Sequence, residues 1–218
     1  MIRIKKQLIM NGTSCTQPQN FYKIDDFTLR SAAPKGLGEV IWLKDQARVN
    51  YVLDYRTLQE IRKSGFNEKK YLSQLDIGYQ NIPLYSKNFS ISDSRKVSKA
   101  IEKLKKTHPD FVILNHCSEG VDRTGEISLN YKSKYKIGNI DDNIEEMIKY
   151  GHHHELFPDL IKIARRFDEE IKNPQFLTIA NENKTIKRIV NLVKNIIKFE
   201  IKGFTDFNKA IKTFSYLA

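Results

Sequence analysis

The sequence predicts an α/β fold, in which a central, mainly parallel sheet of four or five strands is flanked by helices. Short runs rich in β-forming residues alternate with longer stretches of helical period, as expected for a parallel sheet. One short run, 111–115, is apolar almost throughout, which is typical of a strand buried on both faces. Hydrophobic residues make up 40% and charged residues 29% of the 218 residues, the balance of a folded protein with a core.

The predicted elements alternate along the chain after a polar, irregular stretch at residues 1–20. Clusters of β-formers between breakers predict strands at 27–31, 49–54, 79–85 and 111–115. Apolar residues at helical spacing predict helices at 39–47, 58–75 with a break at Gly65, 125–135, 141–150 and 155–171. Before the strand at 111–115, a further helix begins at a cap, either Ser90 or Ser92, and is stopped by His108-Pro109.

The segment 173–218 differs in character from the rest. It carries an apolar stripe at helical spacing, and eight basic and three acidic residues give it a net charge of +5. We expect one domain at 1–172 and a basic, helical C-terminal extension at 173–218. The extension either packs on the domain or contacts a membrane surface or a partner protein.

The charge balance favours anionic partners. The 37 basic and 26 acidic residues give a formal net charge of +11. No apolar run reaches the roughly 18 residues of a membrane span, and the apolar stretch at 8–10 is too short for the core of a signal peptide. We therefore expect a cytoplasmic protein, with delivery into another cell left open.

A ten-residue loop carries the chemistry that the sequence indicates. Residues 116–125 read His-Cys-Ser-Glu-Gly-Val-Asp-Arg-Thr-Gly and join the buried strand to a helix. The N-terminus of that helix offers free N–H groups and a positive dipole end to an anion. We expect the backbone of Ser118, Glu119, Gly120 and Val121 to surround a phosphate.

Four side chains of this loop have expected roles. The guanidinium of Arg123 can bind two phosphate oxygens at once. The same cationic pocket favours the thiolate of Cys117, which can attack phosphorus. The hydroxyl of Thr124 can then assist the sulfur as a leaving group, and His116 fixes the loop by hydrogen bonds.

These residues resemble the signature of the protein tyrosine phosphatase superfamily, in which His-Cys, Gly, Arg and Ser or Thr stand at the same spacing. Upstream, Arg30-Ser31 with Pro34 and the run 52–56 are similar to segments of its dual-specificity and cysteine-phytase-like branches. The resemblance covers about residues 20–150. It implies a cysteine-dependent phosphatase that works through a cysteinyl-phosphate intermediate and needs neither cofactor nor metal.

The expected proton donor is missing from its usual place. In the family an Asp lies on a loop before the nucleophile, where this chain has Ser86. Asp122 is the first candidate, because the pattern Cys-x-x-Gly-x-Asp-Arg-Thr resembles the loops of myotubularin-type and bacterial lipid phosphatases, in which this Asp is implicated as the acid. Asp93 is the alternative. Val121 replaces the Lys of the bacterial pattern, which counts against highly phosphorylated inositides.

The expected substrates are a phosphoinositide or a phosphotyrosine or dual-specificity protein substrate. The alternatives are a phytase-like activity on inositol polyphosphate, a 5′-phosphatase acting on RNA, and a catalytically weak module that only binds phosphate. Nucleic acid is disfavoured, because no aromatic RNA-binding pattern accompanies the positive charge.

Three consecutive histidines, His152, His153 and His154, precede Glu155 and could suggest a metal site. Neighbouring residues on a helix point in different directions and seldom converge on one ion. We expect a helix start or a surface cluster there, and no metal.

Overall fold

The structure, a computed structural model, describes residues 14–173. The predicted extension at 173–218 therefore lies almost wholly outside the described residues. Five strands form one sheet: β1 (Tyr22–Asp25), β2 (Thr28–Ala32), β3 (Tyr51–Asp54), β4 (Gly78–Asn81) and β5 (Ile113–Cys117). Their spatial order is β1-β2-β5-β3-β4, with β1 antiparallel to β2 and the other neighbours parallel.

Seven helices surround the sheet in the described part of the chain. They are α1 (Leu37–Asp45), α2 (Leu58–Lys63), α3 (Glu68–Gln74), α4 (Ile91–Thr107), α5 (Asp122–Tyr135), α6 (Ile140–Lys149) and α7 (Pro158–Lys172). A short 3₁₀ turn at Ser86–Asn88 precedes α4. None of these helices has the length and apolar character needed to cross a membrane.

The predicted α/β fold is confirmed, and the central position of β5 follows from its sequence. All five residues of β5 are buried, and the strand pairs with β2 on one side and β3 on the other. One apolar layer packs α1 and α3 against the sheet, and another packs α4, α5 and α7 against the opposite face. The element that sequence reasoning missed is β1, a short and mostly polar edge strand.

Capping boxes mark where two of the helices begin. Thr57 and Glu60 form a capping box at the start of α2, and Ser90 and Asp93 form one at the start of α4. The expected break near Gly65 is present, because α2 ends at Lys63 and Asn67 caps α3. These short connections bring α2 to the carboxyl edge of the sheet.

Candidate active site

The signature loop, residues 117–123, lies where β5 ends and α5 begins. Cys117 is the last residue of β5, pairs in register with Ala32 of β2, and is only 3% exposed. Helix α5 starts at Asp122, so its N-terminus faces the loop. The carboxyl edge of a parallel sheet and the positive end of a helix therefore meet at the thiol, which is where open α/β folds bind anions.

The carbonyl groups of the loop point outward and are held there by neighbouring donors. The three hydrogen bonds run from Ala33 N to Ser118 O at 3.2 Å, from Asn20 Nδ2 to Glu119 O at 2.8 Å, and from Arg30 Nη2 to Gly120 O at 2.6 Å.

In a planar trans peptide the C=O and the following N–H point in opposite directions. The N–H groups of residues 119, 120 and 121 must therefore turn toward the inside of the loop. None of the three has an acceptor among the described residues. Together they form a nest of free donors beside the thiol, the arrangement that binds a phosphate or another oxyanion.

Gly120 is required for this curvature. Its φ of +72° lies in the left-handed region, and a β-carbon there would overlap the backbone of Ser31. The neighbouring Arg30 is buried, and its guanidinium carbon lies 5.9 and 5.5 Å from the ring centroids of Tyr22 and Tyr150, which stack on each other. Arg30 and Ser31, which resemble a segment of the family, therefore both contact the signature loop at Gly120.

Arg123 is fixed by an acid that the sequence did not reveal. Its Nη1 and Nη2 donate to Oε2 and Oε1 of Glu60 at 2.8 and 2.6 Å, and Nη1 also donates to the carbonyls of Tyr55 and Leu84. Within the described chain its Nε has no acceptor, so Nε and one hydrogen of Nη2 remain for a bound anion. Glu60 thus orients the guanidinium of Arg123 and leaves part of its N–H donors free.

Glu60 is held ionised by this pairing. Burial alone would raise the pKa of Glu60, but hydrogen bonds from Arg123, from the Thr57 backbone and from Ser118 lower it to about 2. Ser118 donates to Oε1 at 2.8 Å. The Thr-x-x-Glu spacing of a capping box was visible in the sequence, but nothing local indicated that the same carboxylate contacts Arg123.

Thr124 lies in the first turn of α5. It is fully buried, and its hydroxyl has no hydrogen-bond partner among residues 14–173, the sulfur of Cys117 included. An unpaired buried hydroxyl is costly unless a partner arrives. A phosphate oxygen bound in the loop would supply one, whereas the expected contact of Thr124 with the sulfur stays a prediction.

A network of four buried charged groups supports the loop from the sheet side. Arg56 binds both Asp54 and Glu68, and His116 lies with Nε2 3.0 Å from Glu68 and Nδ1 3.3 Å from the carbonyl oxygen of Cys117. Burial would lower the pKa of His116, but Glu68 and Asp54 raise it above its ordinary value. With His116 protonated, the two carboxylates balance one guanidinium and one imidazolium, and the cluster is then neutral as a whole.

The ligand atoms of Asp54, Glu68 and His116 lie within 4.8 Å of one another, close enough to hold a metal ion. The guanidinium of Arg56, however, already pairs with both carboxylates. A divalent cation would have to displace that charge and remove the proton of His116. The donor set therefore fits a self-neutralised ion-pair network better than a metal centre.

The three residues considered for proton donation lie in different surroundings. Ser86 is half-buried in the 3₁₀ turn before α4. Asp93 accepts hydrogen bonds from Ser90 in the capping box of α4, as an acid at a helix start does. Asp122 accepts hydrogen bonds from His152 and His153. Burial would raise the pKa of Asp122, but these hydrogen bonds lower it below its ordinary value.

The expectation for the histidines is wrong in one respect. His152 is buried rather than on the surface, and the helix that follows starts only at Pro158. His152 and His153 instead lie against the start of α5. A local pattern could not show this, because the contact joins residues 30 positions apart.

Comparison with solved structures shows that the fold is shared with several proteins, a phosphatase among them, as the resemblance of the signature implied. No protein-family model matches the chain, and no curated protein matches it significantly. TpbA of P. aeruginosa is 18% identical with a TM-score of 0.57, over 71% of this chain and 92% of that one. The catalytic core of the PP-IP phosphatase SIW14 of S. cerevisiae is 19% identical with a TM-score of 0.53, over 78% and 96%.

PTPMT1 is a third similar structure, 17% identical with a TM-score of 0.55, over 71% of this chain and 98% of that one. A variant of TpbA has been solved with pTyr, and the SIW14 core with citrate. These likenesses show the fold alone.

Proposed function

We propose that this protein is a phosphomonoesterase that works through a cysteinyl-phosphate intermediate. The observation that carries the proposal is that Cys117 ends β5 directly before the unpaired N–H groups of residues 119–121 and the helix start that bears Arg123. The nest and the guanidinium fork offer donors to the oxygens of a phosphate. They would hold its phosphorus in front of the sulfur.

The reaction follows from that placement. The thiolate attacks phosphorus, the bond to the leaving oxygen breaks, and the negative charge that develops on the equatorial oxygens is bound by the loop N–H groups and Arg123. Water then attacks the cysteinyl phosphate, and the sulfur leaves with a hydrogen bond from Thr124. Retention of the nucleophile, the fork and the hydroxyl together favours turnover over a module that only binds phosphate.

A cleft beside the loop supports a substrate larger than phosphate itself. It has a volume of about 430 Å³, and Ser118 and Glu60 form the side next to the loop. Exposed Lys35 and Lys63 and the ring of Phe66 also line it. Two lysines at the rim supply positive charge that Val121 does not, which favours a phosphoinositide head group.

Phosphotyrosine is the second candidate substrate, because Phe66 offers a ring face to an aromatic leaving group. A panel of phosphoinositide vesicles, phosphotyrosine peptides, inositol hexakisphosphate and 5′-phosphorylated RNA would rank the candidates by kcat/KM. We expect the phosphoinositide to rank first. If RNA or inositol hexakisphosphate ranked first, the assignment of substrate class would be wrong.

The covalent mechanism is tested with Cys117→Ser in the full chain. A fluorogenic aryl phosphate, whose leaving group needs little protonation, is the substrate, under reducing conditions. We expect the wild type to turn it over and the variant to lose roughly 10³-fold or more. Acid quenching during turnover should trap phosphate on the wild type. Full turnover by the variant, or no turnover by the wild type, would contradict the proposal.

A further inference from the structure

The segment between α6 and α7 lies against the signature loop and the start of α5. We call residues 150–154 the histidine segment. Its first residue, Tyr150, stacks on Tyr22 at a centroid distance of 3.9 Å, and Gly151 adjoins Val121. His152 is buried and His153 is half-exposed, with 48% of its side chain accessible. The segment therefore contacts the end of the signature loop, at Val121 and Asp122.

Three donors of this segment converge on the carboxylate of Asp122. His152 Nδ1 lies 2.7 Å from Oδ1, and the backbone N–H of His153 donates to the same oxygen at 3.0 Å. His153 Nδ1 lies 3.1 Å from Oδ2. Because a carboxylate can only accept, Nδ1 of His153 carries hydrogen in this contact.

This contact fixes which nitrogen of His153 exchanges a proton. With Nδ1–H bound to Asp122, Nε2 is the atom that gains and loses the proton. The hydrogen bond and the negative charge of Asp122, together with the charge of Glu119 in the loop, raise the pKa of His153. The groups that face it are thus Asp122 and Glu119 from the loop and helix α5, and His152 on its own segment.

Neither of the other candidates, Asp93 and Asp122, suits proton donation as well. Asp93 accepts from the backbone and the hydroxyl of Ser90 in the capping box of α4. Ser86 stands where the family has its acid, and a hydroxyl is a far weaker acid than a carboxyl. Asp122 already accepts from three donors, and its pKa is lowered. Its carboxylate is therefore an acceptor, and the proton between Asp122 and His153 belongs to the imidazole. An ionised Asp that orients a histidine is a recurrent device of acid–base catalysis.

We propose that His153 is the general acid and base of the phosphatase reaction, positioned by Asp122. The inference rests on the proposed function. In the first step the bond between phosphorus and the leaving oxygen breaks while sulfur bonds to phosphorus, and Nε2–H of the imidazolium gives its proton to that oxygen. In the second step the neutral imidazole takes a proton from the attacking water. Hydroxide joins phosphorus and the thiolate is released.

The test compares His153→Gln with His154→Gln in the full chain, since His154 is exposed and adjacent. Each variant is assayed on phenyl phosphate, a poor leaving group, and on a fluorogenic aryl phosphate, a good one. We expect His153→Gln to lower kcat/KM for phenyl phosphate at least tenfold more than for the fluorogenic substrate. His154→Gln should leave both values close to wild type.

The pH profile separates a proton donor from a structural residue. For the wild type, kcat/KM on phenyl phosphate should fall as the pH rises through the pKa of His153, because the imidazolium is the active form. That limb should be absent in His153→Gln. Asp122→Asn should move it to lower pH, because the carboxylate that raises the pKa of His153 is gone.

The outcomes distinguish this inference from the proposed function. If the wild type does not hydrolyse the fluorogenic phosphate, the proposed function fails. If the wild type is active but His153→Gln matches His154→Gln on both substrates, or keeps the basic limb, only the inference fails. A selective loss on phenyl phosphate in Asp122→Asn but not in His153→Gln would assign the acid to Asp122 and overturn the inference.

Discussion

Glu126 gives the strongest stability prediction for this protein. It lies on α5 one turn after Asp122 and is fully buried. Its Oε1 accepts a hydrogen bond from Asn130 at 3.1 Å, and Asn130 also donates to Ser94 of α4. Its Oε2 has no partner among the described residues. A carboxylate in this position would be an unpaired charge between two packed helices.

The cost of ionising Glu126 in the folded protein sets how far the free energy of unfolding changes with pH. Burial raises its pKa from 4.5 to about 8, although the hydrogen bond from Asn130 opposes the change. Between these two values the unfolded chain has released a proton that the folded chain keeps, so the free energy of unfolding falls as the pH rises. The slope is about 1.4 kcal/mol per pH unit, which gives a total on the order of 3–5 kcal/mol above pH 8.

Glu126→Gln should remove this penalty, because the amide has nearly the same shape, stays neutral and can still accept from Asn130. We expect the variant and the wild type to have similar stability near pH 4.5. At pH 9 the variant should be more stable by roughly 3 kcal/mol. Urea unfolding at pH 5, 7 and 9 under reducing conditions, with linear extrapolation to water, measures the difference.

Glu145→Gln is the matched control, since Glu145 is exposed on α6 and loses the same formal charge. Its stability should differ from wild type by less than about 0.5 kcal/mol at each pH. If the stability curves of Glu126→Gln and wild type ran parallel from pH 5 to 9, Glu126 would be ionised in the folded protein. The reasoning from its burial would then be refuted.

Two further predictions concern the loop and its support. Gly120→Ala should lower the free energy of unfolding in urea by roughly 2 kcal/mol or more, because a β-carbon would meet the backbone of Ser31. It should also lose binding of vanadate, an oxyanion probe, and equal binding would show that the nest tolerates the β-carbon. Gly36→Ala, at a site with open space, is the control. Glu68→Gln leaves Arg56 and His116 with one carboxylate, so the free energy of unfolding in urea should fall by roughly 3 kcal/mol. The pKa of His116, followed by NMR, should also fall. An unchanged titration of His116 would contradict the network.

The sequence by itself determined the centre of the fold. The apolar run at 111–115, followed by the cysteine loop and a helix, needs only local patterns, because a strand buried on both faces has no polar side to display. The helix start near Ser90 was equally local, since capping satisfies N–H groups within one turn. Loop residues such as Gly120 could be named before any contact was known.

The edge of the sheet and the length of the helices were less well determined. β1 is a short strand of mixed polarity whose formation depends on pairing with β2, and β-propensity alone does not record that pairing. The expected strand at 79–85 ends at Asn81, the residue that pairs with Asp54 at the end of β3. Such boundaries follow from neighbours rather than from the residues themselves.

Only the tertiary structure decided how the site is completed. Glu60 reaches Arg123 across 63 positions and His152 reaches Asp122 across 30, and neither pairing leaves a periodic or spaced signal in the sequence. Glutamates and histidines at the surface look alike in a sequence whether or not a distant partner awaits them. The proposed nucleophile Cys117 and the proposed phosphate-binding Arg123 could therefore be named from residues 116–125. The orientation of Arg123 and the proposed proton donor depended on which side chains the fold brought to that loop.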